Sequence, residues 1–231
     1  MNKKRVLVVD DEIGVIRFLR ASLEANDYKV LTAMDGDQAL QTFELELPDL
    51  IILDIMMPEI NGFEVCRRIR EWSHVPIIML SACPDESDKV KSLDLGADDY
   101  VTKPFGADEL MARVRAVMRR TETLASVPNQ PCFISGDLQV NFVHRQVIAN
   151  GKEVKMTPTE FNLMREFVLN AGKVLTHTHL LKKIWGLEYQ EEREYLHVLV
   201  HRLRTKLEPH PTKPRHIISV PGVGYQFRHT R

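Results

Sequence analysis

The stretch Leu50–Gly62, LIILDIMMPEING, decides how the rest of the chain reads. Its first four residues are a continuous apolar run, the pattern of a strand buried on both faces of a parallel sheet. The run ends on a lone carboxylate, Asp54, with Met56, Met57 and Pro58 just beyond it. Proline cannot donate to a ladder and steers the preceding residue away from helix, so the strand stops here. Asn61 and Gly62 supply turn chemistry before a helical pattern resumes at Phe63. Asp54 therefore falls at the carboxyl end of a central strand, where open α/β sheets keep their sites. An isolated Asp is most often a solvated turn residue. What the neighbouring strands end on decides otherwise.

Toward the N-terminus, Arg5–Val9 reads as a buried strand ending in Asp10, Asp11 and Glu12. Ile16, Leu19 and Leu23 then give Gly14–Ala25 the spacing of an amphipathic helix. A second strand at Lys29–Ala33 and a helix at Gly36–Glu46 lead to the Asp54 strand. Beyond it come a helix at Phe63–Trp72, a fourth strand at Pro76–Leu80 closed by Ser81, and a helix around Asp88–Leu95. A short strand at Tyr100–Val101 precedes Lys103, and Asp108–Arg120 is the last helix. Alternation of this kind predicts a five-stranded doubly wound parallel sheet of α/β class. Three carboxylates at one sheet edge repel one another unless a hard cation lies among them, and an oxygen donor set with water access suits Mg²⁺. Lys103 can pair with a phosphoryl oxygen and Ser81 can donate to another. Asp54 is then the nucleophile, and its product an aspartyl phosphate.

Composition limits the remaining classes. The 231 residues suit two domains, and 44% apolar with 27% charged residues is ordinary for soluble protein. No apolar run approaches the length of a membrane span, and the charged start MNKKRVLVVDDE is not a signal peptide. Three cysteines, Cys66, Cys83 and Cys132, share no metal spacing. A cytoplasmic location without membrane association is expected. The net charge of −1 hides an asymmetry: residues 1–120 hold 16 Lys and Arg against 22 Asp and Glu, and residues 121–231 hold 15 against 10. An acidic half joined to a basic half suggests that the second meets nucleic acid.

The expected division is residues 1–121, a linker at 122–131, and a second domain at 132–231. Short strands at Cys132–Ile134, Leu138–Asn141 and Arg145–Ala149 lead to an Asn150-Gly151 hairpin into Glu153–Met156. Thr157-Pro158-Thr159-Glu160 has the form of a capping box with proline at the first helical position. Its helix runs to Asn170, a second starts at Thr176, and a third spans Glu192–Glu208. In the third, Leu196, Leu199, Val200, Leu203 and Leu207 share one arc and face the core. Arg193, His197, His201 and Arg204 fall on one flank, with Tyr195, Arg202 and Lys206 on the other. A helix this basic outside its core stripe suits the DNA major groove. The closing hairpin, His216–Val220 and Tyr225–Arg228 around Pro221-Gly222-Val223-Gly224, completes an α+β winged helix-turn-helix.

The segments VLVVDDE, LIILDIMMPEINGFE, PIIMLSA and GADDYVTKPF resemble the receiver domain of two-component response regulators. LTHTHLLKKIWG, HRLRTKLE and PGVGYQF resemble the DNA-binding domain of the OmpR/PhoB subfamily. The resemblance implies a transcription regulator, not an enzyme, with Asp54 as phosphoacceptor for a sensor histidine kinase. It implies that Asp11, Asp54 and the Met56 carbonyl hold Mg²⁺ with Asp10 assisting through metal-bound water, that Ser81 and Lys103 contact the phosphoryl group, and that Tyr100 is the switch aromatic. Val198 and Arg202 would lie near bases of promoter DNA, with Tyr195, His201 and Arg204 near phosphates. Members often carry arginine where Pro221 stands, so the wing would touch backbone only, through Ser219 or Val220. A phosphorylation-dependent homodimer would form through helix four, strand five and helix five, with pairs Lys89–Glu109, Asp99–Arg113 and Asp98–Arg120 across its two-fold axis. RNA polymerase is a further expected partner. SDKVKSLDLGADDY, NAGKVLT and KPRHIISVPGVGY are similar to Kdp-type regulators of potassium uptake. Met56 and Cys83 would flank the path of water to the acyl phosphate. Neither positions water well, which predicts decay over minutes to hours, an order of magnitude drawn from the ~10²–10⁴-fold that such help supplies.

Two other classes remain open at this point. An aspartate-nucleophile phosphatase needs a second Asp two residues after the nucleophile, and Met56 stands there. A DNA-binding protein with a phosphate-independent dimerisation module would have no use for Asp11, Asp54, Ser81 and Lys103 together.

Overall fold

In the computed structural model, which describes residues 3–82, 85–122 and 132–229, the run LIILD is a wholly buried strand at the centre of a sheet. The first compact unit, Met1–Arg119, holds β1 (Arg5–Val9), α1 (Ile13–Glu24), β2 (Lys29–Ala33), α2 (Gly36–Glu46) and β3 (Leu50–Asp54). These are followed by α3 (Gly62–Arg70), β4 (Ile77–Ser81), α4 (Glu86–Asp94), β5 (Asp99–Thr102) and α5 (Ala107–Glu122). The strands lie in the order β2-β1-β3-β4-β5, and all pair in parallel. Alternate side chains of each strand feed two apolar layers. Leu7, Ile51, Leu53 and Met79 meet Phe43, Val65 and Ile69 on one face. Val8, Ile52, Ile78 and Leu80 meet Ile16, Leu19, Leu110 and Val114 on the other.

Local chemistry sets the element ends. Asp35, Asn61 and Asp85 cap α2, α3 and α4 by accepting from backbone N–H groups of the first turn. Gly62 is required by close approach: a Cβ there would lie 2.1 Å from the Asp54 carbonyl oxygen. The Asp85 cap starts α4 two residues before the sequence periodicity does, because α4 is mostly polar and only Ser92 and Leu93 are buried.

The second unit, Arg120–Arg231, begins with an antiparallel sheet of β6 (Cys132–Ser135), β7 (Leu138–Asn141), β8 (Gln146–Ala149) and β9 (Lys152–Val154). Asn150 and Gly151 both have positive φ, +52° and +71°, which matches the twist of a two-residue hairpin. Then come α6 (Pro158–Leu169), β10 (Val174–Thr176), α7 (His177–Ile184), a 3-10 turn at Leu187–Tyr189 and α8 (Arg193–Leu207). A hairpin of β11 (Ile217–Val220) and β12 (Gly224–Phe227) closes the unit. β10 has no counterpart in the sequence reading. Three residues are too few to show alternation, and the strand exists by pairing with β12, 48 or more positions away. Most of the expected linker, residues 123–131, lies outside the described residues, as does Cys83; Cys66 and Cys132 are free thiols.

Candidate functional site

Strand register assembles the acidic site. Val9 pairs with Leu53, Asp54 with Leu80, and Ser81 with Thr102. Asp10, Asp54, Ser81 and Lys103 therefore stand in a row along the carboxyl edge of four neighbouring strands. Asp10, Asp54 and Ser81 are buried and Asp11 is exposed. One carboxylate oxygen from each of Asp10, Asp11 and Asp54 lies within 4.8 Å of the others. Lys103 Nζ lies 2.7 Å from Asp10 Oδ2 and 3.0 Å from Asp54 Oδ1.

The electrostatics follow from burial. Loss of water raises Asp54 to about 6, against the opposing pull of Lys103 and with Asp10 and Asp11 adding repulsion. Asp10 is raised for the same first reason, again opposed by Lys103. Burial works against the Lys103 ammonium, but hydrogen bonds and charge from the two carboxylates outweigh it and raise its pKa. The Asp54 Oδ1 atom is buried and receives no well-aligned hydrogen bond. Acceptor-only oxygens of two buried carboxylates and one water-facing carboxylate, all within reach of one another, fit a hard divalent cation.

Beside Lys103 opens a cleft of about 520 Å³ lined by Glu12, Val15, Phe18, Ala82, Pro104 and Phe105. Phe18 is 42% exposed with its ring 6.2 Å from that of Phe105, and Ile13 is half exposed nearby in sequence. The sequence reading missed this apolar rim. Its signal was Phe18, a large apolar residue of α1 off the stripe of Ile16, Leu19 and Leu23.

Other expected residues divide. Met56 is exposed. Tyr100 is buried within the same apolar layer as Met79 and Cys66. Arg113 pairs with Asp99 at 3.2 Å and with Glu109 at 3.1 Å inside one chain, and Lys89 is partly exposed. Asp98 and Arg120, the remaining expected intersubunit pair, also have partners within the chain. Asp98 is buried, 3.2 Å from Arg70 Nη2, and accepts from the Ile77 amide. Arg120, in the second unit, is buried and donates from Nε to the Ile184 carbonyl oxygen at 2.8 Å. Both groups are already engaged within the chain.

On α8 the helical wheel was half right. Arg193, His197 and His201 are exposed at four-residue spacing, continued by Thr205. Arg204 is partly exposed and donates to the Ile217 carbonyl and to Ser219 Oγ, tying α8 to β11. On the other flank Lys206 is exposed, Arg202 half-buried and Tyr195 buried. Tyr195 is buried in an aromatic group with Trp185 and Tyr189, and Val198 is also buried, so neither lies on a DNA-facing surface. Arg202 Nη2 and Lys206 Nζ each lie 2.7 Å from Glu160, which is fully buried at the start of α6. Glu160 also completes the capping box, accepting from the Thr157 amide at 2.7 Å.

Comparison with known proteins gives one consistent answer. Residues 6–115 match the response regulator receiver domain, and residues 151–227 match the C-terminal domain of transcriptional regulatory proteins. The chain is 44% identical to the transcriptional regulatory protein KdpE of Mycobacterium tuberculosis, over 96% of this chain and 98% of that one. It is 42% identical to the probable transcriptional regulator ycf27 of Cyanophora paradoxa, over 100% of this chain and 98% of that one. Among solved structures, the response regulator DrrB, a Thermotoga maritima OmpR/PhoB homolog, is 30% identical with a TM-score of 0.53, covering 98% of this chain and 100% of that one. Among the described residues no helix is long and apolar enough to cross a membrane. The chain belongs to the OmpR/PhoB-type response regulators, transcription regulators of two-component systems in which phosphorylation of a receiver domain governs a DNA-binding domain.

Proposed function

We propose that Asp54 is the phosphoacceptor and that a sensor histidine kinase is its donor. The observation that carries this is the Asp54 carboxylate, buried beside Asp10 and Asp11 and 3.0 Å from the Lys103 ammonium. An Asp54 oxygen attacks phosphorus as the nitrogen–phosphorus bond of the donor phosphohistidine breaks, and the imidazole leaves with that electron pair. Lys103 turns from the carboxylates to a phosphoryl oxygen, and the Ser81 hydroxyl donates to another. Mg²⁺, held by Asp10, Asp11, Asp54 and the Met56 backbone carbonyl, would neutralise charge on the phosphoryl oxygens. Chemistry of this kind relies on positioning and charge stabilisation rather than on turnover. The apolar cleft at Phe18 and Phe105 is the surface on which the donor's histidine-bearing domain rests.

Movement of Ser81 and Lys103 biases Tyr100 and the α4–β5–α5 face, where Lys89, Asp99, Glu109 and Arg113 re-pair across a homodimer axis. An exposed pair such as Lys89–Glu109 is worth roughly 0–1 kcal/mol, so it sets register more than affinity. The dimer presents Arg193, His197, His201 and Arg204, with Ser219 of the wing, to promoter DNA in the cytoplasm and there recruits RNA polymerase. Likeness to a KdpE protein supports a potassium-uptake operon among its targets. The test is labelling by acetyl phosphate with Mg²⁺, followed by footprinting on genomic DNA. Labelling of wild type but not of Asp54→Asn is expected, with footprints sharpened by phosphorylation; equal labelling of the variant refutes the assignment.

A further inference from the structure

We propose that Glu160 is a positioning residue for DNA discrimination: it withholds Arg202 and Lys206, two cations of α8, from the DNA backbone. The proposal rests on the reading of α8 as the DNA-facing helix. Arg202 and Lys206 are one turn apart, and both reach across to the same carboxylate on α6, at 2.7 Å each. Glu160 has no exposed surface, and the Arg202 and Lys206 side chains are only 12% and 31% exposed. Lys206 Nζ also donates to the Lys155 carbonyl at 3.0 Å. A buried carboxylate between two cations is a demanding arrangement, because removing Glu160 leaves two neighbouring cations with no counter-charge. It is therefore held in place, and it changes what α8 shows. The exposed stripe keeps Arg193 with the two imidazoles His197 and His201, and on the other flank Lys206 reaches the surface with its ammonium on Glu160.

The consequence is specific to nucleic acid. Affinity for arbitrary DNA comes mostly from cations that neutralise phosphates, and each such contact steepens the salt dependence by about 0.9 in log–log slope. Base contacts carry the sequence preference. Two cations held on Glu160 lower binding to arbitrary DNA and leave base reading intact, so the ratio between cognate and arbitrary sequence rises. The same residue caps α6, which ties the withheld cations to the fold itself.

Glu160→Gln in the full chain tests this, since glutamine also serves at the third position of a capping box. The probes are a mixed-sequence duplex and the sequence enriched from a random duplex pool by the wild-type chain. Expected is a steeper salt slope on the mixed-sequence duplex, by about 1 to 2, with a reduced cognate-to-mixed ratio. Lys206→Met is the companion if Glu160→Gln fails to fold: its slope should equal that of wild type, because the ammonium is held away from phosphate. A Glu160→Gln slope equal to wild type, or a Lys206→Met slope lowered by about 1, overturns the proposal. Arg193→Ala separates the two readings. If it weakens binding while Glu160→Gln changes nothing, α8 faces DNA and Glu160 plays no such part; if it too is without effect, the reading of α8 itself fails.

Discussion

Replacing Asp54 by Asn should stabilise the metal-free receiver at neutral pH, although it removes the proposed phosphoacceptor. Burial raises the Asp54 carboxyl from its ordinary 3.8 to about 6. A folded-state pKa above the unfolded value means that the folded protein holds the proton more tightly. That contribution to stability is complete below about pH 4 and is lost as pH rises through about 6. At pH 7.5 the ionised carboxylate therefore costs the fold about 3 kcal/mol, at 1.36 kcal/mol for each pH unit of difference. Asn removes that cost but gives up the charge opposite Lys103, which keeps Asp10 at 2.7 Å. The pull of Lys103 is already contained in that raised pKa, so the net gain expected is about 1–3 kcal/mol. The assay is urea unfolding in EDTA across pH 4 to 8, followed through amide signals of β3. The midpoint should rise by about 0.5–1.5 M at pH 7.5 and converge on wild type near pH 4. Mg²⁺ should narrow the gap by binding the wild-type site more tightly. A variant less stable than wild type at pH 7.5, or a difference independent of pH, would refute the assigned electrostatics.

Three further outcomes are expected. Gly62→Ala forces a Cβ to within 2.1 Å of the Asp54 carbonyl oxygen, so it should destabilise the receiver by about 2–4 kcal/mol and slow acetyl phosphate labelling, both measurable on one preparation. Exposed Met56 offers no strong donor or acceptor to water, so Met56→Glu or Met56→Asn should alter the decay of the phosphorylated form, within a range of about 10²–10⁴-fold for fully developed assistance. Decay unchanged by substitutions at both Met56 and Cys83 would instead assign the lifetime to Lys103 and Mg²⁺. Tyr195→Ala should cost about 3–5 kcal/mol of stability in the second unit, while Tyr195→Phe binds DNA with unchanged salt slope, because the ring is core and not a phosphate contact.

Much of the receiver was legible because its chemistry is punctuated by its topology. Each of four apolar runs ends within a residue or two of a polar group, and parallel pairing has a single register that keeps both faces apolar. Asp10, Asp54, Ser81 and Lys103 could thus be aligned from strand ends alone. What the pattern could not show is how charge is shared once the groups meet. That Lys103 bridges Asp10 and Asp54 depends on side-chain reach, not on spacing. The apolar rim at Phe18 and Phe105 was hidden for a related reason: amphipathic reading looks for the buried stripe of a helix and treats the opposite side as solvent.

The second unit shows where a helical wheel stops. A wheel places residues around one axis, and it put Tyr195, Arg202 and Lys206 together on a flank of α8. It carries no information about the neighbour that this flank meets. That neighbour includes Glu160, 42 and 46 positions earlier, whose role in a capping box already gave it a complete explanation. One residue here has two functions: its Oε2 accepts from the Thr157 amide and from Lys206, and its Oε1 faces Arg202. Asp98 likewise lies against Arg70, a partner that its charged motif does not show. In each case the sequence shows the charge, and packing supplies its partner within the chain. A basic residue on a DNA-binding helix is available to DNA only if no carboxylate of the fold holds it first, and that is decided by packing between elements distant in sequence.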